Sequence, residues 1–223
     1  MTKDRWAKDA LSRKYDRIAA EYSSRYADPD AIARHQVSLV EQWGARLEAG
    51  ATVLEIGCAD GLVTKALARS GMAVTAIDFS PVMVETARRR LNAAGLAANF
   101  VVTDLDSLDL GRQFDVVLAV MWSFFAYASD PRGAITRLAD HTRVKMLIDA
   151  NPRAFSIPSM VASVRAAGFE SVAWRPFLIP QRRRLPRPVL RVLATTERVP
   201  GVRSLPLRSR CNIILKGEHR DHR

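Results

Sequence analysis

Short apolar runs alternate with amphipathic stretches along most of the 223-residue chain. Runs of about six residues rich in Val, Ile, Leu and Ala predict strands, and apolar residues spaced by three or four predict helices between them. One or two helices over about residues 5–48 are expected first, followed by seven strands. The predicted strands lie near residues 51–56, 73–78, 98–103, 114–120, 143–149, 169–178 and 210–216.

This alternation predicts an α/β fold, because the crossover helices of a parallel sheet cover both of its faces. Hydrophobic residues make up 48% and charged residues 26% of the chain, which suits one sizeable core. A single domain over 1–223 is therefore expected. Its predicted parts are an N-terminal helical cap at 1–48, a core at 49–179, a basic Pro/Arg-rich insertion at 180–209, the last strand at 210–216 and a polar tail at 217–223.

A glycine-containing turn follows the first predicted strand. Its sequence is Gly57-Cys58-Ala59-Asp60-Gly61, and Asp78 ends the second strand 17 residues after Gly61. A glycine lets the backbone approach a ligand closely, and a carboxylate at a strand tip can accept hydrogen bonds from both hydroxyls of a ribose. This βαβ unit predicts a site for an adenosyl compound. The spacing Glu-x-Gly-x-Ala-x-Gly differs from the G-x-G-x-x-G of dinucleotide-binding folds.

The turn resembles the first motif of class I S-adenosylmethionine-dependent methyltransferases, which reads acidic-x-Gly-x-Gly-x-Gly. Ala59 replaces the middle glycine and is expected to avoid the left-handed backbone region, where side chains are strained. The resemblance covers about residues 10–180 and includes the segments 78–83, 101–105 and 114–120. It implies a doubly wound, Rossmann-like sheet of seven strands in the order 3-2-1-4-5-7-6, with the last strand antiparallel.

The resemblance also implies the cofactor, S-adenosyl-L-methionine, and residues that bind it. Asp78 would hold the ribose hydroxyls, and Asp104 would accept a hydrogen bond from the adenine amino group. A guanidinium at Arg34 could pair with the methionine carboxylate. The other residues predicted to contact the cofactor are Tyr15, Glu55, Gly57, Cys58, Gly61, Phe79, Met83, Leu105, Val120 and Met121.

Catalytic residues are less clearly encoded, because methyl transfer needs little beyond a positioned nucleophile and removal of its proton. We predict that His35 and Tyr22 are catalytic, with His35 removing the proton of the acceptor. His141 precedes the fifth strand and is expected at the sheet edge opposite the ligand. Tyr22 follows Tyr15 by seven residues, two helical turns, so both would share one helix face. Alternatively, the tyrosines pack on the sheet, and an amine or ionised oxygen acceptor needs no base.

An aromatic cluster after the fourth strand is the predicted acceptor site. It contains Trp122, Phe125 and Tyr127, and Asn151 follows the fifth strand at the same edge. Such a cluster suits a flat or apolar acceptor, or forms part of the core. The sequence lacks the known signatures of nucleic acid and protein methyltransferases. We predict methyl transfer to oxygen or nitrogen of a small aromatic, apolar or lipid-linked metabolite.

The basic charge is concentrated near the C-terminus. Residues 181–223 contain 12 Lys/Arg and 3 Asp/Glu, whereas the rest of the chain contains 22 and 20. Contact of segment 182–210 with an anionic membrane or an acidic substrate is one interpretation, and a solvated surface is the other. An RNA-modifying methyltransferase is an alternative function, although the segment lacks interleaved aromatic residues for base stacking. A non-catalytic cofactor-binding scaffold is a third.

The two cysteines, Cys58 and Cys211, do not have the spacing of metal ligands and are expected to be free thiols. No metal is predicted. The sequence contains no apolar run of 18 residues, and its N-terminus is charged. A cytoplasmic protein is therefore expected, and its oligomeric state is left open.

Overall fold

The computed structural model describes residues 3–120, 130–153, 155–199, 201–202 and 211–219. In these residues seven strands form one sheet in the order β3-β2-β1-β4-β5-β7-β6. The strands are β1 Thr52–Ile56, β2 Ala73–Asp78, β3 Asn99–Val102, β4 Phe114–Ala119, β5 Thr142–Ala150, β6 Ser171–Pro176 and β7 Ile213–Glu218.

Seven α-helices lie in the described ranges. They are α1 Lys3–Ile18, α2 Pro29–Gln42, α3 Leu62–Arg69, α4 Pro81–Asn92, α5 Pro131–Asp140, α6 Ile157–Ala166 and α7 Arg187–Thr196. Asp28, Ser80 and Asp130 cap helices by accepting backbone N–H groups with their side chains. A proline in the first turn of each of these helices needs no hydrogen-bond partner there.

The predicted α/β fold and strand order are confirmed. Strands β1 to β5 pair in parallel, and β7 pairs antiparallel with both β5 and β6. The predicted last strand at 210–216 begins three residues too early and ends two too early. Its ladder to both neighbours continues to Glu218, opposite Lys145 on β5 and Ser171 on β6.

Apolar side chains cover both faces of the sheet, because successive strand residues point to opposite sides. Leu54 and Val117 belong to one core, which α5 and α6 complete. Val53 and Val116 belong to the other, which α2, α3, α4 and α7 complete. The sheet therefore separates two cores, and the functional residues lie where its strands end.

The N-terminal cap lies across the ends of β1 and β2. Helix α1 stops at Ile18 and two 3-10 turns follow, Ala19–Glu21 and Ser23–Arg25. The prediction that Tyr15 and Tyr22 share one continuous helix is therefore wrong. Within the described residues, no helix combines the length and apolarity needed to cross a bilayer.

Candidate functional site

Two adjoining cavities lie beneath the cap at the carboxyl ends of β1 and β2, the edge where open α/β sheets bind ligands. The larger has a volume of about 110 Å³ and the smaller about 60 Å³. Four residues border both cavities: Tyr22, Ile56, Gly57 and Ala59. The glycine-containing turn thus separates one elongated site into two halves.

Asp78 joins this turn to the tip of β2. One carboxylate oxygen accepts the backbone N–H of Ala59 at 3.0 Å, and the other accepts that of Ser80 at 2.9 Å. Burial raises the pKa of Asp78, while these backbone donors oppose the increase. Asp78 lines the larger cavity beside Asp104 and Leu105, the residues for which the family resemblance implies contacts with ribose and adenine.

Ala59 adopts a left-handed conformation, with φ of 47°, so the expectation that it avoids this region is wrong. Hydrogen bonds fix the backbone of the turn in this conformation. The N–H groups of Gly57 and Cys58 both donate to the carbonyl of Ile77, at 2.8 and 2.9 Å. The next N–H, that of Ala59, is then held by Asp78. These tertiary hydrogen bonds override a local penalty of about 1 to 2 kcal/mol.

Replacing Ala59 with glycine is expected to stabilise the protein by up to about 1 kcal/mol, since glycine adopts positive φ without the Cβ penalty. Part of the gain is offset by the greater freedom of glycine in the unfolded chain. Chemical denaturation measures the difference. Ala93→Gly, at a helix C-cap with φ of −63°, is the matched control and should destabilise. A destabilised Ala59→Gly variant would contradict the strain argument.

Two further carboxyl groups lie on the smaller cavity. The Glu55 side chain is buried and accepts a hydrogen bond from the Thr64 hydroxyl at 2.6 Å. Burial, with smaller contributions from the charges of Asp78 and Asp60, raises the pKa of Glu55 from 4.5 to about 8. Asp60 is 2% exposed and forms an ion pair with Arg90 at 2.6 Å. Glu55 is therefore mostly neutral near pH 7.

The cap is attached to this site by hydrogen bonds. The backbone N–H and hydroxyl of Ser23 both donate to the Asp60 carboxylate. The Ser80 hydroxyl donates to Asp16 on α1. Asp60 therefore holds the cap as well as the ion pair with α4. Sequence analysis missed this role of Asp60.

Aromatic rings of the cap cover the larger cavity. Tyr15 packs edge-on against Phe79, with ring centroids 5.7 Å apart, and lies 6.0 Å from the ring of Tyr22. The Tyr26 hydroxyl donates to that of Tyr22 at 3.2 Å. Tyr15 and Tyr22 thus lie on the predicted site, although not on one helix.

Most residues predicted to contact the cofactor do line the two cavities. They are Tyr15, Glu55, Gly57, Cys58, Asp78, Phe79, Asp104, Leu105 and Val120. Met83 instead lies in the core, fully buried on α4. Gly61 begins α3, where it packs against Ala87 of α4. Met121, Trp122, Phe125 and Tyr127 lie outside the described residues.

The structure places His35 and Arg34 elsewhere. Both line a groove between α2 and α7, whereas Ile32 and Gln36 of the same helix face the smaller cavity. Nε2 of His35 lies 2.8 Å from a Glu197 carboxylate oxygen. His35 is 6% exposed and contacts Glu197 on the side of α2 away from the cavities. We therefore do not propose His35 as the base or Arg34 as a cofactor ligand.

Asn151 is exposed, and its side-chain oxygen accepts a hydrogen bond from the backbone N–H of Arg153.

Gln36 on α2 was missed, because the sequence does not show which face of a cap helix meets the site. The described cysteines are both free, and burial raises the pKa of the Cys58 thiol.

Part of the chain matches a known protein family. Residues 53–145 match the family described as a methyltransferase domain. The matched residues make up about two fifths of the chain and include the glycine-containing turn and Asp78. The chain is 34% identical over 131 residues to the ubiquinone biosynthesis O-methyltransferase of Xanthomonas axonopodis pv. citri. That match covers 56% of this chain and 54% of the relative, so the chain spans about half the length of the curated relatives it matches.

Solved structures share the fold of this chain at low sequence identity. Magnesium protoporphyrin IX methyltransferase from Synechocystis PCC 6803, with bound S-adenosylmethionine, is 16% identical with a TM-score of 0.61, covering 94% of this chain and 84% of that one. The cyclase SpnF is 18% identical with a TM-score of 0.67, covering 96% and 97%. Because a cyclase has this fold too, the fold alone does not identify the reaction.

Proposed function

We propose that the protein transfers a methyl group from S-adenosylmethionine to an oxygen or nitrogen of a small apolar or aromatic acceptor. The single observation that carries the proposal is the placement of Asp78 at the tip of β2, facing the same cavity as Gly57, Asp104 and Leu105. The family match over 53–145 supports the cofactor. Oxygen is the favoured acceptor atom, because the relative from Xanthomonas is an O-methyltransferase.

The site residues fit the two halves of this cofactor. In the larger cavity Asp78 would accept hydrogen bonds from the ribose hydroxyls, and Asp104 would accept one from the adenine amino group. In the smaller cavity the turn backbone and the acids Glu55 and Asp60 would surround the cationic methionine half. When bound, the cofactor supplies an electrophilic methyl on a sulfonium, and its loss leaves a neutral thioether. Tyr22 borders both cavities and is retained as the proposed catalytic residue.

The cap must shift to admit a whole cofactor. Sites for ligands of this size usually have volumes of about 300 to 1,000 Å³, several times larger than either cavity. The residues that would move are the cap tyrosines Tyr15, Tyr22 and Tyr26. The turn and the tip of β2 would stay, because hydrogen bonds fix them to the sheet. Closure after binding would then exclude water from the methyl group.

Cofactor binding tests the first half of the proposal. The wild-type protein is expected to bind S-adenosylmethionine and S-adenosylhomocysteine without added metal, and NAD poorly. Asp78→Ala is expected to lose about 1.5 to 3 kcal/mol of binding free energy, the contribution of hydrogen bonds to a charged group. Isothermal titration calorimetry measures this loss, and Asp140→Ala, which removes an exposed carboxylate from the end of α5, is the charge-matched control.

Two results would overturn this part of the proposal. One is preferential binding of NAD, and the other is an Asp78→Ala variant that binds as the control does. Thermal melting accompanies the titrations, because Asp78 also holds the amides of Ala59 and Ser80. A folded variant with weakened binding separates the ligand contact from loss of the fold.

The acceptor class is tested with cofactor carrying a labelled methyl group. Purified protein is incubated with a bacterial lipid and quinone extract or with total RNA, and with Asp78→Ala as the negative control. Label in organic-soluble material supports the proposed acceptor. Label in RNA would instead establish the RNA-modifying alternative, and transfer to neither despite cofactor binding would favour a scaffold.

A further inference from the structure

The groove between α2 and α7 has a volume of about 670 Å³ and an unusual concentration of positive charge. Its lining contains no aspartate or glutamate, and its uncharged polar members are Ser38, Gln42 and Thr195. Four arginines line it: Arg34, Arg187, Arg191 and Arg198. In the part of the chain that the structure describes, none of the four forms an ion pair.

Helix stability does not account for these arginines. Arg187 is the first residue of α7, where a cation opposes the helix dipole. Residues 181–199 contain six arginines and one acid, Glu197, whose side chain is buried against His35. Like charges gathered on one surface repel one another, so the arrangement favours a partner that carries negative charge.

Exposed apolar side chains accompany the arginines. Val189, Val192 and Val199 are 41%, 64% and 50% exposed, and they are three of the five large apolar residues exposed in the described residues. At 100° per residue, Val189 and Val192 share one side of α7, and Arg187 and Arg191 share another. Leu190 between them is buried and attaches the helix to the core.

We infer that α7 and the facing side of α2 dock on a membrane that contains anionic phospholipid. An interfacial helix places apolar side chains at the boundary of the acyl chains and arginines at the lipid phosphates. A soluble phosphate compound would use the arginines and leave the valines exposed. RNA would require aromatic side chains for stacking, and the groove lining contains none apart from His35.

Vesicle co-sedimentation of the full chain tests the inference. The probes are vesicles of phosphatidylcholine alone and of phosphatidylcholine mixed with phosphatidylglycerol. The protein is expected to bind the mixed vesicles at least ten-fold more tightly than the neutral ones. Binding is expected to weaken as the salt concentration rises, because salt screens exposed charges. Millimolar inorganic phosphate should leave binding to the vesicles unchanged beyond this ionic-strength effect.

Three double variants assign the binding to this surface. Arg187→Gln with Arg191→Gln is expected to weaken binding by about 25-fold, about five-fold for each arginine lost near a membrane surface. Arg69→Gln with Arg165→Gln removes the same charge from exposed positions at the ends of α3 and α6, and is expected to have little effect. Val189→Ser with Val192→Ser keeps the charge and should also weaken binding, by at least three-fold.

Several results would overturn the inference. They are absence of binding to the mixed vesicles, equal binding to both kinds of vesicle, and equal losses from the two arginine pairs. Tight, salt-sensitive RNA binding that needs Arg187 and Arg191, without vesicle binding, would assign the surface to RNA instead. Melting temperatures of all variants are measured alongside, and cofactor titration provides a second check of folding that does not depend on the membrane.

Discussion

Replacing Gly61 with alanine is expected to lower the melting temperature of this protein by about 10 °C. Gly61 has φ of 78°, and a Cβ there would lie 2.8 Å from both Cα and Cβ of Ala87 on α4. The left-handed conformation costs about 1 kcal/mol for alanine, and forcing α3 and α4 apart costs a further 1 to 3 kcal/mol. At about 2 to 4 °C per kcal/mol for a chain of this size, the shift is readily measured by calorimetry.

Gly71→Ala separates the two contributions. Gly71 also has a positive φ, 86°, but a Cβ there meets no atom within 4 Å. The two substitutions change the unfolded chain equally, so the difference between them reports the helix contact alone. Gly71→Ala is expected to lower the melting temperature by about 2 to 4 °C. Equal losses in the two variants would show that α3 and α4 do not approach as closely as described.

Glu55→Gln is expected to remove a pH dependence of stability worth about 3 to 5 kcal/mol. The pKa of Glu55 rises from 4.5 to about 8 because the carboxyl is buried. The folded protein therefore binds this proton more tightly than the unfolded chain does. This contribution to stability is complete below pH 4.5 and is lost as the pH rises to about 8.

Denaturant titrations of both proteins between pH 5 and 9 test this expectation. Glutamine resembles the protonated form of glutamate, so the two proteins should have similar stability near pH 5. The variant should become progressively more stable than the wild type up to about pH 8 and by a constant amount above it. Asp78 titrates in both proteins, and because its charge makes only a smaller contribution to the Glu55 pKa, most of its effect cancels from the difference. Parallel stability curves would mean that Glu55 is ionised in the fold at neutral pH.

The sheet and the turn were predictable because their signals are local. An apolar run followed by glycines determines both the strand and the bend after it, and Asp78 lies at a strand end that the same pattern identifies. The conformation of Ala59 was not predictable in this way. Its backbone is fixed by hydrogen bonds to Ile77 and Asp78, which the local sequence does not reveal.

The cap was harder to predict because its helices could meet the sheet in several orientations. Whether His35 or Gln36 faces the cavity depends on how Ile32, Leu39 and Val40 pack. It also depends on Glu197, which lies far along the chain and attracts His35 to the other side. A pattern that predicts a helix therefore does not predict which neighbouring residue becomes functional.

Hydrogen bonds join the cap to Asp60 and Ser80. They separate how tightly a molecule binds in this site from how fast it leaves. While Ser23 and Asp16 hold the cap in place, the cap lies over a molecule that fills both cavities and hinders its release. Its residence time is then set by how often these bonds break together, whatever its equilibrium affinity. The N-terminal segment would thus set how long a bound molecule stays in the site.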